Sequence, residues 1–313
     1  MRVVGIWRIN PYIGGTEVSL IEMARFLSLS GYEVWVYGSD KGIGPIAKEL
    51  GVSVFPEADI WKHEHDILLW YDNHRVFQQE FSRELEAYMR QIPNRFGVFG
   101  GFAPWLVSPV FDRAIAKSKE IETWLSGHGV KVAKVSQFPI DLNYWKAELR
   151  TKQKIPIVGY IGRTEGKNLG QIPFIANAVS GCKVRMVVNT RLDPDNVRSM
   201  KCEVIQDQLL MKPYYQGMDI FMMTSLTEGV PRVIMEAMAM SLPVVVWAIG
   251  GIPVLNPKYM LPANSIREAR NILHELTISE NLRYEVGADN RQRIEDYDRR
   301  IREDLLAWFG NMA

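Results

Sequence analysis

Hydrophobic positions along the chain fall into short, dense runs separated by segments of helical period. The runs cover residues 3–7, 33–37, 67–70, 97–99, 132–135, 157–161, 184–188, 220–223 and 243–247. Most are apolar at consecutive positions, as expected of strands covered on both faces. Between the first two, residues 16–30 place Leu20, Ala24 and Leu27 on one helical face, and Gly31 ends the pattern. Helical segments separate most of the other runs as well. Strands alternating with helices predict parallel sheets of the doubly wound α/β class.

The pattern restarts in mid-chain. Residues 138–149 (FPIDLNYWKAEL) close one set, residues 150–156 (RTKQKIP) form a polar connection, and a new strand begins at Ile157. A chain of 313 residues also exceeds the usual size of one core. The expectation is two Rossmann-like domains, residues 1–150 and 151–291, facing a cleft. Ligands of such sheets bind beyond the carboxyl ends of the strands. Residues 288–309 read as a charged helix able to pack on either domain.

Composition narrows the function. A hydrophobic share of 47% and a charged share of 23% are those of a folded globular protein. The net charge of +1 gives no general electrostatic pull toward nucleic acid or anionic membrane. The two cysteines, Cys182 and Cys202, stand apart from any metal-ligand spacing and fit a reducing cytosol better than a disulfide scaffold. The start of the chain is too polar for a signal peptide, and no run approaches a membrane span. A cytoplasmic location is expected. Residues 102–111 (FAPWLVSPVF) read by default as buried core, with a membrane-facing or acceptor loop as the alternative.

The most informative chemistry follows the run at 220–223. A loop carries Glu228, and a helix then opens near Pro231, where a missing N–H costs nothing. On that helix Ile234, Ala237, Met238 and Ser241 share one face. Glu236 lies about 200° from Ile234 and so points off that face, together with Arg232. Two carboxylates thus stand near the mouth of a sheet, beside the free N–H groups of a helix N-terminus, which attract anions. Spacing alone also admits an ordinary loop acid and a solvated Arg232–Glu236 pair. Two further loops follow strands: GRTEGKN, with Arg163 and Lys167, and PYIGGTE, with Gly14, Gly15 and a capping candidate in Thr16. Cations on such a loop suit a diphosphate leaving group. No GxGxxG is present, which removes the main support for a dinucleotide site.

The run EGVPRVIMEAMA, followed by PVVV and Gly250-Gly251-Ile252-Pro253, resembles the E-x7-E region of retaining GT-B glycosyltransferases of family four. GRTEGKN is similar to that family's diphosphate clamp, with Arg163 and Lys167 one residue closer than usual, and GGTE to its donor-closing loop. The resemblance implies a metal-independent transfer of a hexose from a nucleoside diphosphate sugar, UDP- or GDP-linked, to an acceptor hydroxyl with retention, and it implies no cofactor. Glu236 would hold the ribose hydroxyls. Glu228, with the backbone of Gly229 and Val230 and the neighbouring Pro231 and Arg232, would face sugar and phosphate. Arg163 and Lys167 would meet the diphosphate, with Gly14 and Gly15 closing over it. The final helix, 292–313, would pack back on the first domain.

The family's usual histidine is missing after residues 97–99, which leaves Asp72 and His74 as acceptor-side candidates. Val254 and Ser241 also depart from the family's usual glutamate and glycine. Asp193-Pro194-Asp195 looks like a metal motif, but a proline between two acids suits a turn. Two other functions stay open: a glycosyltransferase acting on hydroxylated DNA bases, and a sugar-nucleotide-binding protein without catalysis. A glycan, lipid-linked or small-molecule acceptor is preferred to DNA, because Arg75, Arg83, Arg90 and Arg95 are interspersed with Glu80, Glu84 and Glu86.

Overall fold

The computed structural model describes residues 3–8, 15–38, 43–71, 83–99, 113–148, 154–164, 167–188, 202–206 and 211–312. The chain forms two compact units, Met1–Asp141 with Arg300–Ala313, and Leu142–Arg299.

The first unit holds strands β1 (Val3–Arg8), β2 (Glu33–Gly38), β3 (Val54–Phe55), β4 (Ile67–Tyr71), β5 (Asn94–Phe99), β6 (Arg113–Ala116) and β7 (Val132–Val135). They form one parallel sheet in the order β3-β2-β1-β4-β5-β6-β7. Helices α1 (Gly15–Leu29), α2 (Gly44–Glu49), α3 (Arg83–Gln91) and α4 (Lys119–Gly127) alternate with the strands. Right-handed crossovers require that alternation in a parallel sheet.

The second unit repeats the plan. Strands β8 (Ile157–Gly162), β9 (Lys183–Val188), β10 (Glu203–Gln206), β11 (Ile220–Met223), β12 (Val244–Trp247) and β13 (Tyr259–Leu261) form a parallel sheet ordered β10-β9-β8-β11-β12-β13. Its helices are α5 (Gln171–Ala176), α6 (Lys212–Gln216), α7 (Arg232–Ala239), α8 (Ile266–Ile278) and the long α9 (Glu280–Gly310). The consecutive apolar runs are explained by burial, since all four residues of β11 and of β12 are buried. Strand order reverses between β8 and β11, so the chain leaves these neighbours toward opposite edges. Their two loops flank the crevice where such sheets take ligands.

The differences from the sequence reading have local causes. Strands β3, β6, β10 and β13 lie outside the predicted apolar runs: β3 and β13 have two and three residues, and β6 (RAIA) and β10 (EVIQ) carry polar residues at their ends, so none is a dense apolar run. Strand β5 starts at Asn94, earlier than residues 97–99, because its polar first residues still pair with β4. Helix α1 starts at Gly15, so Thr16 lies inside the first turn and not at the cap. The division between units precedes the polar connection at 150–156. Asp141 ends the first unit, its N–H donating to Glu22 (3.1 Å) and its carboxylate pairing with Arg25 (3.1 Å). Trp145 belongs to the second unit, its ring edge-on to Tyr215 and its carbonyl accepting from Arg291 (2.7 Å).

The last turns of α9 belong to the first unit. There Asp304 pairs with Lys134 (2.5 Å), and Trp308 and Phe309 pack on Phe96 and Tyr32. Among the described residues no helix is long and apolar enough to cross a membrane. Residues 102–111, Gly14, Asp72, His74 and Asp193–Asp195 lie outside the described residues.

Candidate functional site

The crevice loops of the second unit are built around two close backbone approaches. Strand β8 ends at Gly162 with φ +152°, and a Cβ there would lie 2.6 Å from the Tyr160 hydroxyl. That hydroxyl donates to the carbonyl of Arg163 (2.8 Å), which fixes the start of the loop and leaves the Arg163 side chain exposed. At the loop's far end Asn168 adopts φ +51°, and its carbonyl accepts from the Thr224 hydroxyl at the end of β11 (3.1 Å). The β8 loop is therefore tied to β11 as well as to β8.

The loop after β11 is tied to the loop after β12 in turn. The Gly251 N–H donates to the Gly229 carbonyl (3.0 Å). Gly250 has φ +51°, and a Cβ there would fall 1.8 Å from the Glu228 carbonyl. Only glycine allows this crossing. Beside it, Ser225 is buried, and its hydroxyl has no partner among the described residues.

Lys167 and Glu228 meet across the first two loops. The ammonium lies 2.5 Å from Glu228 Oε1, with both side chains largely buried. The structure thus joins a predicted diphosphate ligand to a predicted sugar-side acid. Arg163 stands on the same loop, and Gly229, Val230 and Pro231 follow Glu228 directly. Pro231 occupies the cap position of α7 with extended backbone, one residue before the first helical turn. No side chain caps that helix, and within its first turn the Ile234 N–H donates to the Pro231 carbonyl (3.2 Å).

Glu236 and Arg232 require a correction. Helical phase places them off the core face, but they are only 4% and 8% exposed. A solvated pair is therefore excluded. The reason is a cover that lies far away in sequence: α6 brings Tyr215 over this side of α7, and Trp145 backs Tyr215. The Tyr215 hydroxyl donates to Glu236 Oε2 (2.8 Å), and Arg232 Nε lies 3.4 Å from Oε1. Burial pushes the Glu236 carboxyl above its usual range, against the opposing pull of Arg232 and then of the Tyr215 hydrogen bond. Burial and the adjacent Glu236 charge raise the Tyr215 phenol further, so it stays protonated. Tyr215, Tyr160 and Thr224 escape sequence reasoning because their roles depend on contacts with residues in other elements.

Residues 155–276 match the family model for glycosyl transferases group 1. The matched residues lie within the second unit and are similar to that family. A search of curated proteins finds no match. Among solved structures, the Anabaena protein HepE in complex with UDP and glucose is similar, with TM-score 0.76 and 14% identity. That alignment covers 99% of this chain and 100% of HepE. A glycosyltransferase from Rickettsia africae gives 0.73 and 13%, covering 99% of each chain. A sucrose-phosphate synthase from Thermosynechococcus elongatus gives 0.72 and 14%, covering 100% of this chain and 99% of that one. These likenesses, with the two parallel sheets, give the GT-B fold. The matched residues contain both crossed loops and both acidic centres, Glu228 and Glu236.

Proposed function

We propose that the protein transfers a hexose from a nucleoside diphosphate sugar, UDP- or GDP-linked, to an acceptor hydroxyl with retention and without a metal ion. The observation that carries this reading is the Lys167–Glu228 ion pair, held across the β8 and β11 loops within the residues that match the group 1 family model. HepE, alike in fold, was solved in complex with UDP-glucose, which supports the choice of donor class.

The two charges neutralise each other until a donor arrives. A diphosphate competes for Lys167 and releases Glu228 to accept hydrogen bonds from the sugar. Arg163 and the N–H groups of Gly229, Val230 and the first turn of α7 add positive potential where charge gathers. Pro231 and Arg232 shape the nucleotide side, and Glu236 accepts from the ribose hydroxyls. The bond from the anomeric carbon to the diphosphate breaks, and its electron pair leaves on the phosphate oxygen. The acceptor oxygen bonds to the same face of that carbon and passes its proton to the departing phosphate. Asp72 and His74 are the acceptor-side candidates.

A thermal-shift panel of UDP, GDP, ADP and TDP sugars tests the donor. Saturation at about a hundred times Kd should add about 2.7 kcal/mol of stability. Glycosyl transfer or donor hydrolysis should then fall about a hundredfold in Arg163→Ala and in Glu228→Gln. A protein stabilised by none of these nucleotides would refute the reading.

A further inference from the structure

The buried chemistry around Glu236 goes beyond a single acid facing a ribose. Each carboxylate oxygen already meets a protein donor, Oε1 from Arg232 and Oε2 from Tyr215. A carboxylate offers about four lone-pair sites, so roughly two remain. They match in number the two hydroxyls of a ribose.

Tyr215 itself is fully buried and has little freedom. Trp145 stands edge-on to its ring at 5.6 Å, and Phe221 lies 6.1 Å away on the β11 side. Its hydroxyl reaches Glu236 Oε2 at 2.8 Å and the Val233 carbonyl at 3.2 Å, and its single proton goes to the nearer, charged acceptor. Arg232 and Glu236 sit one turn apart on α7, so the pair alone can rotate as a unit about its side-chain torsions. Tyr215 comes from a different element, α6, and removes that freedom.

A buried ion pair is poor value for stability compared with an apolar packing of the same volume. Its presence beside the switch-point loops points to use by a ligand. We propose that Tyr215 is a positioning residue of the nucleotide site: its hydroxyl, with the Arg232 guanidinium, fixes Glu236 as an ionised acceptor for the two ribose hydroxyls of a nucleoside diphosphate. The inference rests on the ribose contact proposed above for Glu236.

The test compares UDP and GDP with their 2′,3′-dideoxy forms, by calorimetric affinity at several pH values, in the wild type, Tyr215→Phe, Glu236→Gln and the double variant. Phenylalanine keeps the ring between Trp145 and Phe221, so the fold should persist. The wild type should prefer the ribonucleotide. Tyr215→Phe should weaken that ligand roughly fivefold to tenfold, the effect of one charge-assisted hydrogen bond, and leave the dideoxy form unchanged. Loss of the phenol also releases the carboxyl to protonate more readily, so the acid limb of ribonucleotide binding should move to higher pH. In the Glu236→Gln background, Tyr215→Phe should add little. Equal weakening of both ligand forms, or no weakening of either, would overturn the positioning role while the ribose contact stands. A wild type that binds ribo and dideoxy forms alike would remove the ribose contact and this inference with it.

Discussion

Each unit holds a polar network built on buried side chains, and the two differ in kind. In the first unit, Tyr37, His63, His65 and Tyr88 form a chain of hydrogen bonds with one consistent direction. The Tyr88 hydroxyl lies 2.5 Å from the His63 carbonyl and 3.0 Å from that of Ile60, and carbonyls only accept. Its proton is thereby assigned, and His65 Nδ1–H must donate to Tyr88 (2.9 Å). His65 Nε2 then accepts from Tyr37 (2.9 Å), whose oxygen accepts from His63 Nδ1–H (3.0 Å). The chain ends on backbone carbonyls. In the second unit, Tyr215, Arg232 and Glu236 hold a buried charge pair with acceptor capacity left over. The first network ends on backbone, whereas the second keeps acceptor capacity that the proposed ribose contact would use.

The largest effect should come from breaking the charged network. Arg232→Met leaves Glu236 buried without its counterion and should cost about 3 kcal/mol in urea denaturation near neutral pH. Adding Glu236→Leu should recover much of that stability and none of the nucleotide affinity. Recovery of both would remove the contrast between the units. In the first unit's network, Tyr37→Phe leaves a His63 donor and a His65 acceptor unpaired and should cost about 2 kcal/mol. Nucleotide affinity should not change, since Tyr37 lies in the other unit.

The networks should also separate by pH. Burial and the neighbouring His63 lower the His65 pKa to about 4 from the usual 6.5. The unfolded chain then binds more protons than the folded one between these values, so stability from this group is full above about pH 6.5 and is lost as pH falls toward 4. Glu236 has the opposite sign. Its carboxyl is raised, the folded state holds its proton more tightly, and its contribution falls as pH rises through the shifted value. The His65 contribution to the denaturation midpoint should therefore fall from pH 7 to 4.5, and His65→Gln should remove that acid-dependent loss relative to the wild type. An unchanged slope in His65→Gln would place the acid sensitivity elsewhere.

Sequence patterning was enough for the continuously apolar strands, because runs such as VVVW and IFMM have few other destinations than a covered parallel sheet. Helical phase set Glu236 and Arg232 of α7 off the face of Ile234. What phase could not supply was the far side of the helix. Arg232 and Glu236 point off one core face, but Tyr215 and Trp145 supply a second, and their contacts span long stretches of chain. The Lys167–Glu228 pair joins loops that follow different strands and depends on the switch in strand order between β8 and β11. Short strands such as β13 exist only because a neighbour offers its ladder.

The smallest expected effect concerns the end of the helix that carries the charged network. After α7 the chain turns at Ser241, which adopts φ +54°, and the Leu242 N–H reaches back to the Ala237 carbonyl (3.0 Å). A left-handed residue just past the helix end suits glycine, and a serine Cβ there costs about 1 kcal/mol. Ser241→Gly should therefore raise stability by about 0.5 kcal/mol, since the unfolded chain also gains freedom. The turn has no slack on its other side: a Cβ on Gly287 of α9 would lie 2.2 Å from the Ser241 carbonyl. Gly287→Ala should accordingly destabilise. If Ser241→Gly stabilises and leaves nucleotide affinity unchanged, the turn acts only on the fold. A loss of affinity would mean that the stiffness of this turn helps set Arg232 and Glu236, and would extend the ligand-serving network to the carboxyl end of α7.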